Sequence, residues 1–297
     1  MHVTLRQLNV FEAVARQLSY TRAAETLHLS QPAVSMQIRQ LEDEIGLELF
    51  EKLGKKIQLT EAGTELFHYS LSINRLLVEA EEVLESLKGV SRGRLRIVVA
   101  STVNYFAPRL MAAFSRKYPS VNVHLDVTNR ESLMRLLTAN EADLVMMGKP
   151  PDSLELESEP FMDNPLVVVS PCDHELVGQA SIPLERIAEE LFLMRETGSG
   201  TRQAMERFFE DKGLRLRQGM EMTRNEAIKQ GVRAGLGLSV VSTHTIELEL
   251  ETGRLCILDV QGFPILKKWF LVYRKGKRLS PVAEAFRSFV LSHAREV

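Results

Sequence analysis

A multidomain α+β fold is predicted by three features of this 297-residue chain. Residues 1–60 carry three short amphipathic patterns followed by an alternating one. Residues 61–88 carry a single apolar repeat with steps of three and four. From residue 95 onward, short β-rich runs alternate with helical ones, the pattern of α/β lobes. The composition, 44% hydrophobic and 26% charged, belongs to a globular chain and not a disordered one. The net charge of −2 signals no overall nucleic-acid partner, so any such contact must come from local placement of charge. No apolar run approaches the roughly 20 residues of a membrane helix, and the N-terminus has no apolar signal core. No membrane partner is therefore expected, and the cytoplasm is the expected location. Cys172 and Cys256 lie far apart without metal or redox spacing, and are expected as reduced thiols.

In chain order, the first helix is expected to bury Leu8, Phe11, Ala15 and Leu18. A short second helix follows Ser19 and Tyr20, with Ala23, Ala24 and Leu27 facing inward. The third, in "LSQPAVSMQIRQLEDEIG" (29–46), is the informative one. At 100° per residue, Val34, Ile38, Leu41 and Ile45 form a narrow core stripe. Pro32, Met36, Arg39 and Asp43 lie opposite, with Ser35 and Gln40 on the flanks. Ser30 is a good N-cap, and Pro32 is tolerated in the first turn, where a missing N–H had no helical partner.

The outer face of that helix is neutral or basic as far as Gln40 and acidic from Glu42 to Glu44. Only its N-terminal half can approach phosphates without repulsion, as in a helix that enters a major groove by its N-terminal residues. An ordinary solvated face is the alternative. Two short helices before it and a basic hairpin after it, in "LFEKLGKKIQLT" (49–60), favour a winged helix-turn-helix. Lys52, Lys55 and Lys56 of the hairpin can neutralise phosphates, adding affinity without sequence information.

Thr60 caps the next pattern, whose apolar residues are Ala62, Leu66, Tyr69, Ile73, Leu76, Ala80, Val83 and Leu87. So regular a seam predicts a linker helix of roughly 40 Å that dimerises as a coiled coil, with Leu66, Tyr69, Ile73, Leu76, Val83 and Leu87 at the contact. A helix lying on its own domain is the alternative. The glycine-bearing "GVSRGR" (89–94) reads as a hinge. Residues 95–297 then form a regulatory domain, with lobe I about 95–165 and 270–297 and lobe II about 166–269. Its buried strands are expected at 94–100, 121–127, 142–148, 165–170, 191–195, 238–242 and 269–274, in parallel sheets.

"MRETGSGTRQAMERFF" (194–209) places a glycine turn between a strand and a helix. Glycines admit a ligand close to backbone N–H groups, and a helix N-terminus favours negative charge. Thr197, Gly198, Ser199, Gly200, Thr201 and Arg202 are the candidates for holding a small anion. No Gly-Lys-Ser/Thr follows, so this is not a nucleotide-hydrolysing loop. Ser101, Thr102 and Asn129 sit just beyond two other strands, where α/β sheets bind ligands, although each also suits a helix cap. No nucleophile, acid–base pair or metal-ligand spacing stands out, and no cofactor or enzymatic activity is expected. Cys172 and His174 fall in an expected surface loop.

The segment 6–63, above all "TRAAETLHLSQPAVS", "QLEDEIGLELF" and "LTEAG", closely resembles the DNA-binding domain of LysR-type transcriptional regulators. The resemblance extends over the whole chain and implies a linker helix and a two-lobed effector domain of the periplasmic-binding-protein type. It places Thr21, Arg22, Ser30, Gln31, Pro32, Ser35, Met36 and Arg39 toward promoter DNA. Met36 stands where many members have a polar or basic residue, and offers a thymine methyl an apolar contact without a hydrogen bond. Within the family the chain is most similar to regulators of carbon-dioxide-fixation (RuBisCO, Calvin cycle) operons. That likeness implies a phosphorylated metabolite or NADPH as effector, RNA polymerase as a further partner, and a homo-oligomer built as a dimer of dimers.

Overall fold

In a computed structural model, residues 3–54, 56–86 and 93–294 are described, and they fall into two compact units. The first unit opens with α1 (Leu5–Gln17), α2 (Tyr20–Leu27) and α3 (Gln31–Ile45). Each has a hydroxyl N-cap, Thr4, Ser19 and Ser30 respectively, which accepts a bond from a backbone N–H of the first turn. At α1 the cap is reciprocal, because the Gln7 side chain accepts from the Thr4 N–H at 2.8 Å. Phe11, Val14, Ala23, Val34, Ile38 and Leu41 form a dry centre. Leu18 is not part of it, contrary to the expected stripe. It ends α1 in the left-handed region, at φ 46°, and is 46% exposed, while Val10 and Val14 fill the inner face.

β1 (Phe50–Leu53) and β2 (Lys56–Leu59) pair antiparallel in the expected hairpin. Phe50 stacks obliquely on Phe11 and edge-on to Tyr20, tying the hairpin to the helical core. α4 (Glu61–Ser86) begins against the same core. Gly63 makes that approach possible, since a Cβ there would lie 2.0 Å from the Leu49 carbonyl oxygen. Leu66 and Phe67 still pack on the unit's own core. Farther along, Tyr69, Ile73 and Leu76 are 65%, 37% and 60% exposed. The Val83 side chain, Leu87, Lys55 and hinge residues 89–92 lie outside the described residues.

The second unit is built on a seven-stranded sheet with the order β10 (Cys256–Ile257), β6 (Leu156–Ser170), β11 (Ile265–Arg274), β5 (Leu144–Gly148), β3 (Gly93–Ala100) and β4 (Val121–Thr128), in which β9 (Ser239–Ser242) also pairs with β6. β3 (Gly93–Ala100) includes the last two residues expected in the hinge. It runs parallel to both β4 (Val121–Thr128) and β5 (Leu144–Gly148). β6 (Leu156–Ser170) and β11 (Ile265–Arg274) are antiparallel to each other, so the sheet is mixed, where parallel sheets were expected. These two long strands serve both lobes. Phe161 of β6 and Trp269 and Leu271 of β11 belong to a core with α5 (Ala107–Lys117) and α11 (Pro281–His293). Leu166 and Val168 of β6 and Ile265 of β11 belong to a second core, with Phe192, Met205 and Phe209. Trp269 thus packs in lobe I, not lobe II as expected.

Lobe II also contains β7 (Leu191–Arg195), α8 (Gly200–Asp211), β8 (Arg217–Met222), α9 (Asn225–Arg233), β9 (Ser239–Ser242) and β10 (Cys256–Ile257). β8 and β10 were not anticipated, β8 having no apolar run and β10 being only two residues long within the short apolar run 255–258. The two cysteines are not separate thiols. Cys256 pairs with Ser170 in the β10–β6 register, which brings its sulfur to Cys172 two residues beyond, and the two form a disulfide across a sequence separation of 84. No helix among the described residues is long and apolar enough to cross a membrane.

Candidate functional site

Two surfaces carry the chemistry, one in each unit. On the first, Gln31, Pro32, Ser35, Met36 and Arg39 are exposed along one side of α3, with Met36 at 55%. Lys52 and Lys56 are exposed on the hairpin, as are Thr21 and Arg22 on α2. The Arg22 guanidinium donates to the Gln17 carbonyl at 3.0 Å, and the Ser30 hydroxyl accepts from the Ala33 N–H at 3.4 Å. Ser30 therefore has a structural duty whatever else it touches.

The acidic end of α3 has a duty that sequence reasoning missed. The Glu42 carboxylate accepts the N–H groups of Leu49 and Phe50, at 2.8 and 3.3 Å, and so holds the start of the hairpin. An acidic residue eight places before a strand gave no pattern by which this could be foreseen.

In the second unit, a cavity of about 320 Å³ opens between the lobes. β3 lies between β4 and β5, so the chain leaves β3 to one side and returns on the other, and the crevice at such a switch point is where α/β sheets bind ligands. The ends of these strands supply Ser101, Thr102, Asn129, Arg130 and Lys149. Lobe II supplies Arg195, Glu196, Ser199, Gly200, Thr201 and Arg207, and the shared strands supply Asn164, Lys267, Lys268 and Trp269. Six cationic side chains and one carboxylate therefore line the cavity among the described residues.

The first turn of α8 presents backbone N–H groups that have no helical partner. Its N-cap Ser199 is 7% exposed and makes no side-chain capping bond. A helix N-terminus of this kind stabilises an anion. Arg130 adds a guanidinium whose pKa is held below its ordinary value by burial, and whose recorded hydrogen bond goes to a neutral acceptor, the Lys149 carbonyl, at 2.8 Å. Asn129 both caps and lines: its Oδ1 accepts from the Ser132 N–H at 2.9 Å, while the residue borders the cavity.

Three of the expected anion-binding residues are placed elsewhere. Thr197 and Gly198 are exposed and absent from the lining, and Gly198, at φ 89°, shapes the turn. Arg202 also faces away from the cavity. Its guanidinium binds Glu206 one helical turn on at 2.8 Å, Glu221 of β8 at 2.5 Å and the Arg195 carbonyl at 2.9 Å. The bond to Glu206, then that to Glu221, raises its pKa. Its place is taken by Arg195, seven residues earlier in the same motif, and Arg207 on the next turn but one of α8. Arg195 reaches across the cleft to the Ser101 hydroxyl at 3.5 Å, and Asn225 of α9 reaches Thr102 at 3.4 Å.

A helix-turn-helix with a wing, joined by a long helix to a two-lobed domain with a cationic cleft, is the architecture of an effector-responsive transcription regulator. Residues 5–64 match the family described as "Bacterial regulatory helix-turn-helix protein, lysR family", and residues 88–295 match "LysR substrate binding domain". The chain belongs to the LysR family of transcriptional regulators. It is 70% identical to a "RuBisCO operon transcriptional regulator" of Allochromatium vinosum, over 99% of this chain and 97% of the relative. It is 43% identical to the "HTH-type transcriptional activator CmpR" of Synechocystis, over 100% of this chain and 97% of that one. Among solved structures, the regulatory domain of Synechocystis CcmR in complex with 2-PG is similar at 41% identity with a TM-score of 0.66, covering 68% of this chain and 97% of that one.

Proposed function

We propose that this regulator controls carbon-dioxide-fixation genes, in the first place a RuBisCO operon, in response to a small phosphorylated acid bound between its lobes. The observation that carries the effector reading is the cleft itself, with six cations and the α8 N-terminus around a single carboxylate. Its volume of about 320 Å³ lies at the small end of ligand pockets, which run from ~300 to ~1,000 Å³. That size suits a compact phosphorylated acid better than NADPH. The similar domain of CcmR is bound to 2-phosphoglycolate, a molecule with a phosphate at one end and a carboxylate at the other. The relatives named for RuBisCO operon control supply the target genes.

In this reading α3 enters the major groove with Gln31, Ser35 and Met36 foremost, and Lys52 and Lys56 grip phosphates beside it. Two chains join along Tyr69, Ile73 and Leu76 of α4, and two dimers form the working tetramer on cytoplasmic promoter DNA. Effector closure of the lobes changes the tetramer's hold on DNA and the access of RNA polymerase.

Fluorescence anisotropy with a RuBisCO-operon promoter fragment, over a salt series, tests the DNA-binding half. Affinity is expected to fall steeply with salt, and Lys52→Ala with Lys56→Ala to reduce the logarithmic slope by about 2, one per phosphate contact. An unchanged slope contradicts the placement of the wing.

A further inference from the structure

The single carboxylate of the cleft sits on its most enclosed cation. Arg195, only 5% exposed, sends Nε to Glu196 Oε2 at 2.7 Å and Nη2 to Glu196 Oε1 at 2.8 Å. This is the two-pronged edge by which a guanidinium binds carboxylates and phosphates. The remaining recorded bonds of the group go to Asn225 Oδ1 and, at 3.5 Å, to the Ser101 hydroxyl. A guanidinium has five N–H donors, so four are committed and the edge suited to an anion is occupied. Glu196 follows Arg195 directly in the chain, and its side chain is 19% exposed at the cavity wall.

We propose that Glu196 is a tethered stand-in for one anionic end of the effector, seated on Arg195 while the cleft is empty and exchanged for the effector on binding. The proposal rests on the reading that an anion enters this cleft. The exchange replaces one anion by another at Arg195, so a ligand with a single anionic group gains little there. A ligand with two such groups gains at its second end, beside the α8 N-terminus and Arg207. Glu196 therefore sets the effector concentration needed for a response and selects two-ended anions over inorganic phosphate.

Isothermal titration of the full-length protein and of Glu196→Gln, each with 2-phosphoglycolate and with inorganic phosphate, tests this. Glutamine keeps the size of the side chain and removes its charge. The variant is expected to bind 2-phosphoglycolate at least about tenfold more tightly, the scale of one lost charge-assisted competitor, and to discriminate less against phosphate. Equal or weaker binding by the variant, with the wild type binding normally, overturns the exchange and leaves the anion cleft standing. No binding of either anion by either protein overturns the anion reading and the exchange with it. The wild-type chain gives a second readout that does not depend on a variant folding. A crystal structure with 2-phosphoglycolate in the cleft is expected to show the Glu196 carboxylate moved off Arg195, and an intact pair in an occupied cleft overturns the proposal.

Discussion

Glu42 is a carboxylate whose position on α3 hides its work. It stands in the acidic run at the C-terminal end of the helix, and one of its oxygens, Oε1, accepts from two amides at the start of the wing. Leaving those part-buried N–H groups unpaired costs about 1–3 kcal/mol each, which is roughly a 5- to 150-fold change in an opening equilibrium. Glu42→Ala is therefore expected to speed hydrogen exchange at Leu49 and Phe50 by that order, with Phe11 and Val14 little changed. Unaltered exchange at the two wing amides contradicts the tie. The same contrast between pattern and pairing runs through the cleft. "RETGSGTR" was legible as an anion loop because glycines, hydroxyls and a helix start speak in one dimension. Which of its two arginines faces the cavity was not, since that depends on Glu206 and Glu221 capturing Arg202 from α8 and β8.

Among elements, α4 changes partner along its length. Its first turns, through Phe67, belong to the DNA-binding unit, and Gly63 lets them lie against Leu49. The apolar residues beyond, Tyr69, Ile73 and Leu76, are left exposed among the described residues and continue the same heptad seam. Ile73→Glu with Leu76→Glu is expected to convert the wild-type oligomer to a species half its size or smaller in sedimentation velocity, without loss of helix by circular dichroism. A wild-type-like sedimentation coefficient contradicts the seam. The period of three and four made this element readable from sequence. Strand β8 was not readable because it has no apolar face, and β10 because two residues are too few to show an alternation.

The disulfide was equally hidden, since only the register of β10 on β6 brings residues 84 apart together. A cross-link of that span adds up to about 4–5 kcal/mol to stability by restricting the unfolded chain. Reductant, or Cys256→Ser, is therefore expected to lower the melting temperature of the wild-type chain, and reductant to leave the variant's unchanged. A wild-type melt indifferent to reductant contradicts the pairing. In a reducing compartment the bond opens, and lobe II loses that contribution.

At the scale of the whole molecule, the order of a winged helix-turn-helix, a long helix and a two-lobed domain was readable because each stretch repeats its own period. The mixed sheet was not, because β6 and β11 read as ordinary buried strands until pairing shows that both serve two cores. That sharing sets the cleft against the strands that join the two lobes. Both strands pass from one lobe's core to the other's, and four of their residues, Asn164, Lys267, Lys268 and Trp269, line the cavity. Under the proposed function, an anion bridging Arg195 and Ser199 on one side to Arg130 and Lys149 on the other is expected to shift the balance of lobe arrangements to the extent that its affinity for them differs. The most direct measurement is a footprint of the full-length protein on its RuBisCO-operon promoter, with and without 2-phosphoglycolate. The account predicts that the effector changes the extent of protection or the bend-sensitive cleavages within it, and that Arg195→Ala keeps the footprint while losing the change. A footprint identical with and without 2-phosphoglycolate, other phosphorylated acids and NADPH would contradict it.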